Sequence, residues 1–274
     1  SVAATATEHR VESPDGTIAV MVSDENSLRF RVEVDSQQVM AWSQLGLEFA
    51  DGSVFGPESV IVAAERKKYR SLWENHFGKR RAVKEYWNQL HLDVQNEDGA
   101  KRHLGLQVRV FDDGIAFRYL LDTDLRLDDF TITGEKTEFT FVDDYRCWMG
   151  LPSKCAENQY PETQIDAIPT TNNTGDAYQS VLPLLVETPD CFVAIAESDL
   201  LDWAGMFLRG SDKASTVCVS LAERNDGQGC VVGKTPCVSP WRVLMIARTA
   251  AELIASDLIA TLATPCQLDD ISWI

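Results

Sequence analysis

The chain of 274 residues is 45% hydrophobic and carries a formal net charge of −17 at pH 7. This apolar content is enough to bury a sizeable core. So large an acidic excess argues against nucleic acid and against anionic membranes, because both require clustered Lys and Arg. No run of 18 apolar residues is present, so the sequence predicts no membrane insertion.

The seven cysteines show no Cys-x-x-Cys spacing, so they predict neither a zinc site nor a thioredoxin-type redox site. An odd number leaves at least one thiol unpaired within the chain. Local disulfides are conceivable between Cys147 and Cys155 and between Cys230 and Cys237 in an oxidising compartment. The interpretation that we prefer is buried free thiols acting as small apolar residues.

The first residues, 1–6, are small and polar, as in a mature N-terminus left by signal cleavage, although a sequence trimmed at that point would look the same. We expect an exported protein, located in a bacterial periplasm. The last residues, 271–274, form an apolar segment without a polar tail. A boundary before a following domain would explain that ending.

Short segments typical of strands, most of them separated by turn residues and some with period-two alternation, recur along the chain and predict β-strands. They are residues 17–22, 28–34, 90–94, 104–110, 115–120, 138–142, 182–187, 192–196, 216–220 and 241–247. The turn Asp112-Asp113-Gly114 predicts a hairpin between the fourth and fifth of them. Only residues 249–255 and 199–204 resemble short helices. The fold class expected is all-β: one large antiparallel β-sandwich over residues 1–274.

Two stretches show no clear periodicity and are expected to be irregular. Residues 65–89 contain a basic cluster that we interpret as a solvated loop face; it comprises Arg66, Lys67, Lys68, Arg70, Lys79, Arg80, Arg81 and Lys84. Residues 146–180 are rich in proline and polar residues, and long irregular loops in a compact domain are functional or disordered. Aromatic and acidic residues make this second stretch the better candidate for lining a site; they are Trp148, Glu157, Tyr160, Glu162 and Asp166. Trp148 and Glu162 are the candidate substrate-binding residues.

No familiar catalytic signature is present: the sequence has no nucleophile elbow, no phosphate-binding glycine loop, no His-Glu-x-x-His and no calcium loop. The four histidines are scattered along the chain. A complete enzyme is therefore hard to support from the residues alone.

A series of motifs in a fixed order covers nearly the whole chain. The motifs are Ser13-Pro14-Asp15-Gly16, Ser43-Gln44-Leu45-Gly46-Leu47-Glu48, Tyr86-Trp87-Asn88-Gln89-Leu90, Asp112-Asp113-Gly114-Ile115-Ala116-Phe117-Arg118-Tyr119, Ala194-Ile195-Ala196-Glu197-Ser198-Asp199-Leu200, Asp202-Trp203-Ala204-Gly205-Met206 and Ser239-Pro240-Trp241-Arg242. In this order they resemble the N-terminal domain of glycoside hydrolase family 97. The third motif departs from the family pattern, which has Tyr-Asn-Glu-Leu.

The resemblance implies a galactose-mutarotase-like super-sandwich that packs on a (β/α)8 catalytic barrel of the same chain. It implies that the intact protein is a calcium-dependent, exo-acting glycoside hydrolase of the α-glucosidase or α-galactosidase type, with α-glucosidase expected. The substrate would be an α-linked oligosaccharide. The catalytic residues would lie in the barrel, so residues 1–274 alone are expected to be inactive.

Glu197 is the one candidate metal ligand. From the residues alone it ends an apolar strand and begins a polar turn, where an exposed or helix-capping acid is the simpler interpretation. The resemblance implies that it ligates calcium beside the catalytic residues, although Ala196 replaces the family's preceding His. Calcium takes about 6–8 oxygen ligands, so the others are expected from the barrel.

Two other functions remain open at this point. A non-catalytic carbohydrate-binding sandwich would use the aromatic and acidic residues between Trp148 and Asp166. A free-standing aldose epimerase of the mutarotase-like class would require paired histidines and a general-base carboxylate, which the sequence does not place.

Overall fold

The computed structural model describes residues 7–76, 78–96, 103–121, 129–151, 157, 159–268 and 270. Every strand pairing between these residues is antiparallel. The strands are β1 (Glu8–Glu12), β2 (Ile18–Ser23), β3 (Arg29–Val34), β4 (Gln37–Gln44), β5 (Leu47–Phe49), β6 (Val54–Phe55), β7 (Ser59–Glu74), β8 (Ala82–Asn96), β9 (His103–Phe111), β10 (Gly114–Leu121), β11 (Asp129–Glu135), β12 (Glu138–Thr140), β13 (Arg146–Gly150), β14 (Glu162–Gln164), β15 (Val181–Glu187), β16 (Phe192–Ser198), β17 (Met206–Gly210), β18 (Thr216–Leu221), β19 (Val231–Lys234), β20 (Cys237–Val238) and β21 (Trp241–Ala247).

A ten-stranded sheet forms one layer of the molecule, in the order β14-β13-β15-β16-β21-β10-β9-β8-β7, with β20 also pairing with β10. Three smaller sheets form the opposing layer, in the orders β1-β2-β3-β4, β19-β11-β5-β6 and β12-β18-β17. Phe117 of the large sheet lies 5.0 Å from Phe30 and 6.4 Å from Phe139 of the opposing layer, measured between ring centroids. The fold is therefore the large antiparallel β-sandwich that the sequence predicted.

The core lies between the two layers because alternate residues of each strand point inward. A single cluster of buried apolar side chains fills this space. A second, smaller cluster lies on the outer face of the ten-stranded sheet, where α2 (Leu258–Leu262) covers Trp87 and Trp241. The ten-stranded sheet is consequently buried on its inner face and partly covered on its outer face.

The predicted helix at 249–255 is confirmed as α1 (Ala250–Ala255). Thr249 and Glu252 form a reciprocal capping box at its start, which explains why so short a helix is stable. No helix in the described part of the chain is long and apolar enough to cross a membrane.

The helix predicted at 199–204 is wrong. Asp199 and Asp202 have φ angles of 61° and 49°, in the left-handed region that a right-handed helix cannot contain. The segment between β16 and β17 is instead an irregular loop that begins and turns at these two aspartates.

The irregular loop predicted over residues 65–89 is also wrong. Most of it belongs to the long hairpin formed by β7 and β8. Residues 63–70 of β7 are exposed at every position, so the alternation that identifies a half-buried strand is missing there. The basic cluster therefore lies on an exposed strand and its turn rather than on a loop.

The predicted irregular stretch 146–180 contains strands β13 and β14 and a 3-10 turn at Ile165–Ala167. Among the predicted cysteine pairs, Cys230 and Cys237 are both free thiols. Cys147 is a buried free thiol, and its candidate partner Cys155 lies outside the described residues.

Tyr119 joins the two layers through its buried hydroxyl group. The Gly46 backbone N–H donates to the Tyr119 hydroxyl at 2.9 Å, and this hydroxyl lies 2.8 Å from the Thr137 hydroxyl. All three groups are buried, so each depends on the others for its hydrogen bonds.

We expect Tyr119→Phe to lower the free energy of unfolding by about 1–3 kcal/mol, because the Gly46 N–H and the Thr137 hydroxyl would lose their buried partner. Urea unfolding followed by tryptophan fluorescence measures this change. Tyr178→Phe is the matched control, since its half-buried hydroxyl makes no hydrogen bond to a described residue. Equal losses in both variants would contradict the role assigned to the Tyr119 hydroxyl.

Candidate functional site

A buried arginine with two carboxylates occupies the interior of the sandwich. Arg242 donates from Nε and Nη2 to the two carboxylate oxygens of Glu135, at 3.0 and 2.5 Å. Its Nη1 donates to Oε2 of Glu197 at 3.0 Å. The Arg242 and Glu135 side chains have no exposed surface, so this is a fully buried bidentate ion pair with a third charged partner.

The strand register explains how these three side chains meet. Glu197 on β16 is the direct partner of Arg242 on β21 in the large sheet. Both residues occupy inward positions, since Ile195 and Leu244, two residues along each strand, belong to the core. Glu135 ends β11 in the opposing layer, so Arg242 links the two layers of the sandwich.

Glu197 lies one residue before the end of β16. The backbone N–H of Met206 donates to both of its carboxylate oxygens, at 3.1 and 3.2 Å. Its side chain is 15% exposed, so the carboxylate is held in place and still reaches solvent. The exposed acid and the helix cap considered from the residues alone are therefore both wrong.

Burial and the neighbouring charges shift the pKa values in this cluster in opposite directions. Burial raises the pKa of Glu197, and Arg242 pulls it down in part. Burial would lower the pKa of Arg242, but Glu135 and then Glu197 raise it, so Arg242 stays charged. Glu197 is thus a carboxylate whose ionised form depends on neighbouring positive charge.

Of the residues in this cluster, Glu197 is suited to supply one oxygen ligand to a calcium ion. Among the described residues, Oε1 of Glu197 accepts a hydrogen bond from Met206 alone, and the neighbouring Gly205 has no side chain to cover it. No group of three or more His, Cys, Asp or Glu side chains suited to a metal ion occurs among the described residues. Any calcium bound at Glu197 would take most of its oxygens from elsewhere.

The structure does not bring the candidate substrate residues to Glu197. Trp148 and Glu162 are direct partners on β13 and β14, and the Arg146 guanidinium lies 5.1 Å from the Trp148 ring. Cys147 of the same strand points into the core, so Trp148 faces outward, on the side of the sheet opposite to Glu197. The role of Trp148 and Glu162 in binding substrate stays a prediction.

Two other residues of that stretch make structural contacts. The Tyr160 hydroxyl donates to the Leu182 carbonyl at 3.0 Å, and the Asp166 carboxylate accepts the backbone N–H of Ser215. Glu157 is exposed. None of these contacts by itself points to a ligand.

Sequence reasoning missed the partnership of Arg242 with Glu135. One signal was available, because Arg242 occupies an inward position in the otherwise apolar strand Trp241–Ala247 and a buried cation requires a paired anion. The choice of Glu135 could not be read in the same way, since the two residues are 107 positions apart in sequence.

We expect Arg242→Met to lower the free energy of unfolding by about 3–5 kcal/mol, because Glu135 would be left buried without its counter-charge. Denaturant unfolding at neutral pH measures the change. Arg224→Met is the control: it removes an exposed pair with Asp226 and should cost no more than about 1 kcal/mol. A loss in Arg242→Met as small as that in the control would show that the buried pair is dispensable.

Glu197 should also shape the pH dependence of stability. A carboxyl whose pKa is raised by folding stabilises the folded state below its ordinary pKa of 4.5, and this contribution is lost as the pH rises through the folded value. In the presence of a chelator, the stability of the wild type relative to Glu197→Gln should therefore fall as the pH is raised from 4.5.

Unfolding curves at a series of pH values measure this difference, and Glu223→Gln controls for the removal of an exposed carboxylate. If the wild type instead gained stability over Glu197→Gln with rising pH, the carboxylate would be bound more tightly as an anion than its burial suggests.

A family profile described as "Glycosyl-hydrolase 97 N-terminal" matches residues 11–265. The chain is 22% identical over 287 residues to a retaining alpha-galactosidase of Bacteroides thetaiotaomicron, covering 96% of this chain and 42% of that protein. It is 26% identical over 250 residues to a probable retaining alpha-galactosidase of Streptomyces bingchenggensis, covering 90% of this chain and 36% of that protein.

Solved structures give the same result. A glycoside hydrolase family 97 enzyme from a Pseudoalteromonas species, in complex with acarbose, superposes with a TM-score of 0.87 at 25% identity, covering 97% of this chain and 39% of that one. A beta-arabinopyranosidase superposes with a TM-score of 0.76 at 20% identity, covering 88% and 40%, and shares the fold. The chain thus spans about two fifths of the length of the proteins it matches. It belongs to glycoside hydrolase family 97 and corresponds to the N-terminal domain of that family.

Proposed function

We propose that this sandwich is part of an exo-acting hydrolase of α-linked oligosaccharides, and that it lends Glu197 to a calcium ion shared with a (β/α)8 catalytic barrel. The observation that carries the proposal is the position of Glu197. It is a partly exposed carboxylate near the end of β16, held by Arg242 and the Met206 amide, with one oxygen still able to accept a ligand.

The relatives support the reaction class. Two curated relatives are named as retaining alpha-galactosidases, one of them as probable, and a related structure from a Pseudoalteromonas species was determined with panose and another with acarbose. The sequence resemblance favoured α-glucosides, whereas these curated names favour α-galactosides. The α anomer is common to both expectations, and the sugar is decided by assaying the two substrates side by side.

A calcium ion would supply a concentrated positive charge that orients carboxylates and polarises an attacking group. Glu197 would contribute one anionic oxygen, and Arg242 would keep that carboxylate ionised and fixed in orientation. The carboxylates that flank the scissile bond would come from the barrel. We therefore expect the sandwich alone to lack hydrolytic activity.

The role of Arg242 explains why a single carboxylate can serve as a useful ligand. A flexible glutamate would lose side-chain entropy when it binds the ion, by up to about 1.5–2 kcal/mol. Contacts with Arg242 and Met206 fix the Glu197 side chain before the metal arrives. Export to the periplasm stays a prediction and is compatible with an extracellular oligosaccharide substrate.

The test uses the intact protein, with aryl α-glucoside and aryl α-galactoside as substrates, before and after calcium removal with a chelator. Wild type should hydrolyse one of them and lose activity on chelation, with recovery when calcium is added back. Glu197→Ala and Glu197→Gln should weaken calcium binding about tenfold or more and shift the calcium dependence of activity to higher concentration.

Glu223→Ala is the matched control, since it removes an exposed carboxylate that lies outside this cluster. Thermal unfolding of each variant in chelator separates loss of folding from loss of metal binding, and Glu197→Gln keeps the length of the side chain. Wild-type calcium affinity in both folded Glu197 variants would remove Glu197 from the metal site. Absence of hydrolysis of either substrate by the intact protein would remove the α-glycosidase proposal itself.

A further inference from the structure

A row of stacked aromatic and arginine side chains crosses the outer face of the ten-stranded sheet. It consists, strand by strand, of Tyr69, Trp87, Arg109, Arg118 and Trp241. The Tyr69 and Trp87 rings stack at 4.9 Å between centroids. The Arg109 guanidinium lies 4.3 Å from the Trp87 ring and 4.7 Å from the Trp241 ring, and Arg118 lies 4.2 Å from Trp241. We call this set the arginine–tryptophan row.

The row faces away from the calcium-site candidate. Val108 and Phe117, the strand neighbours of Arg109 and Arg118, belong to the inner core, so the two arginines point outward. Trp241 precedes Arg242 on β21 and therefore faces the opposite side from it. The Arg242 cluster and the arginine–tryptophan row therefore lie on opposite faces of the same sheet.

Within the described residues, the two guanidinium groups donate hydrogen bonds only through Nε. Nε of Arg109 donates to Oε1 of Gln89 at 3.1 Å, and Nε of Arg118 donates to Oε1 of Gln107 at 2.8 Å. Gln107 Nε2 also donates to Gln89 Oε1, at 2.9 Å, which fixes both amides. The terminal Nη nitrogens make no hydrogen bond to any described residue, although each carries two N–H donors.

Arg118 is paired locally with Asp199. Its Nη1 lies 3.8 Å from Oδ2 of Asp199, a salt bridge that is longer than a hydrogen bond. The Glu85 carboxylate near Arg109 accepts a hydrogen bond from the Trp87 indole. Burial, and then repulsion by Arg109, lowers the pKa of Arg118 to about 10. Two adjacent, half-buried cations whose Nη groups make no hydrogen bond to a described residue have donors that suit a further carboxylate.

The last described stretch of the chain passes beside these arginines. Oδ1 of Asp199 accepts the backbone N–H of Thr264 at 2.7 Å, while its Oδ2 is the oxygen that faces Arg118. Leu200 and Leu201, in the loop that Asp199 begins, are 46% and 59% exposed. An apolar rim therefore lies next to the cationic site.

We propose that Arg109 and Arg118 dock an Asp or Glu side chain of the catalytic domain that follows in the intact protein, with Leu200 and Leu201 at the edge of the same contact. The stacked tryptophans hold the two guanidinium planes in place, so the docking carboxylate meets a preformed pair of donors. This inference rests on the proposed function only in that it requires a following domain. It assigns no part of the hydrolysis to the row.

Zero-length carbodiimide cross-linking of the intact protein tests the contact. R118K places an amine where the guanidinium was, and R109K does the same at the neighbouring position in case the first variant fails to fold. Peptide mapping by mass spectrometry should find either new amine joined to an Asp or Glu beyond residue 274. Native Lys68, exposed on β7, is the internal control for amines outside the row.

Hydrogen exchange on R118Q measures how strongly Arg118 stabilises the contact. Loss of charge-assisted hydrogen bonds should raise the exchange rate of catalytic-domain amides at the contact about tenfold, whereas K68Q should leave those rates unchanged. Three results would overturn the docking proposal. The first is cross-linking of the new amines only to Asp199 or Glu85, and the second is cross-linking only between separate molecules. The third is cross-linking to no residue at all in both folded lysine variants.

Activity of the wild-type protein is measured in the same preparation, so that the two proposals fail separately. A cross-link to the following domain in a protein that hydrolyses neither α-glycoside would uphold the docking and reject the function. Hydrolysis without such a cross-link would support the proposed function and reject the docking.

Discussion

The ion pair between Arg242 and Glu135 is the interaction on which the rest of the structure depends. A charge buried without a partner costs several kcal/mol, so neither residue is tolerable in this core without the other. Their pairing fixes the large sheet against the opposing layer. It also leaves one guanidinium nitrogen for Glu197, whose carboxylate is thereby held near the end of β16. Arg242 thus both stabilises the sandwich and positions the candidate metal ligand.

About half of the described strands could be predicted from the sequence, several of them because one face of the strand is buried and the other is polar. The hairpin at Asp112-Asp113-Gly114 is confirmed, since β9 and β10 pair directly across it. The prediction failed where that asymmetry is absent, as along residues 63–70, which are exposed on both faces. It also failed at 199–204, where local sequence resembled a helix but two left-handed aspartates turn the chain. The order of strands in the sheets depends on contacts remote in sequence, which periodicity does not encode.

The candidate site residues were chosen in a different way. Glu197 was singled out by family resemblance and not by any local pattern, and its buried contacts with Arg242 and Met206 came only from the fold. Trp148 was chosen for its residue type in a polar stretch, and the pleat of β13 turns it to the opposite face of the sheet. Composition can identify residues capable of binding sugar or metal. It cannot tell which face of a strand each will occupy, because a shift of one residue reverses every side chain.

The exposed basic residues of β7 protect one edge of the ten-stranded sheet. β7 is the last strand of that sheet, so its outer backbone N–H and C=O groups are available to any other extended chain. Edges of this length are sites of intermolecular strand addition and aggregation unless something opposes it. Arg66, Lys67, Lys68 and Arg70 place like charges along the edge, so two copies meeting there would repel each other. The opposite edge, β14, has only three residues and is too short to serve as a template. The two margins of the sheet are thus protected by different means, charge on one and brevity on the other.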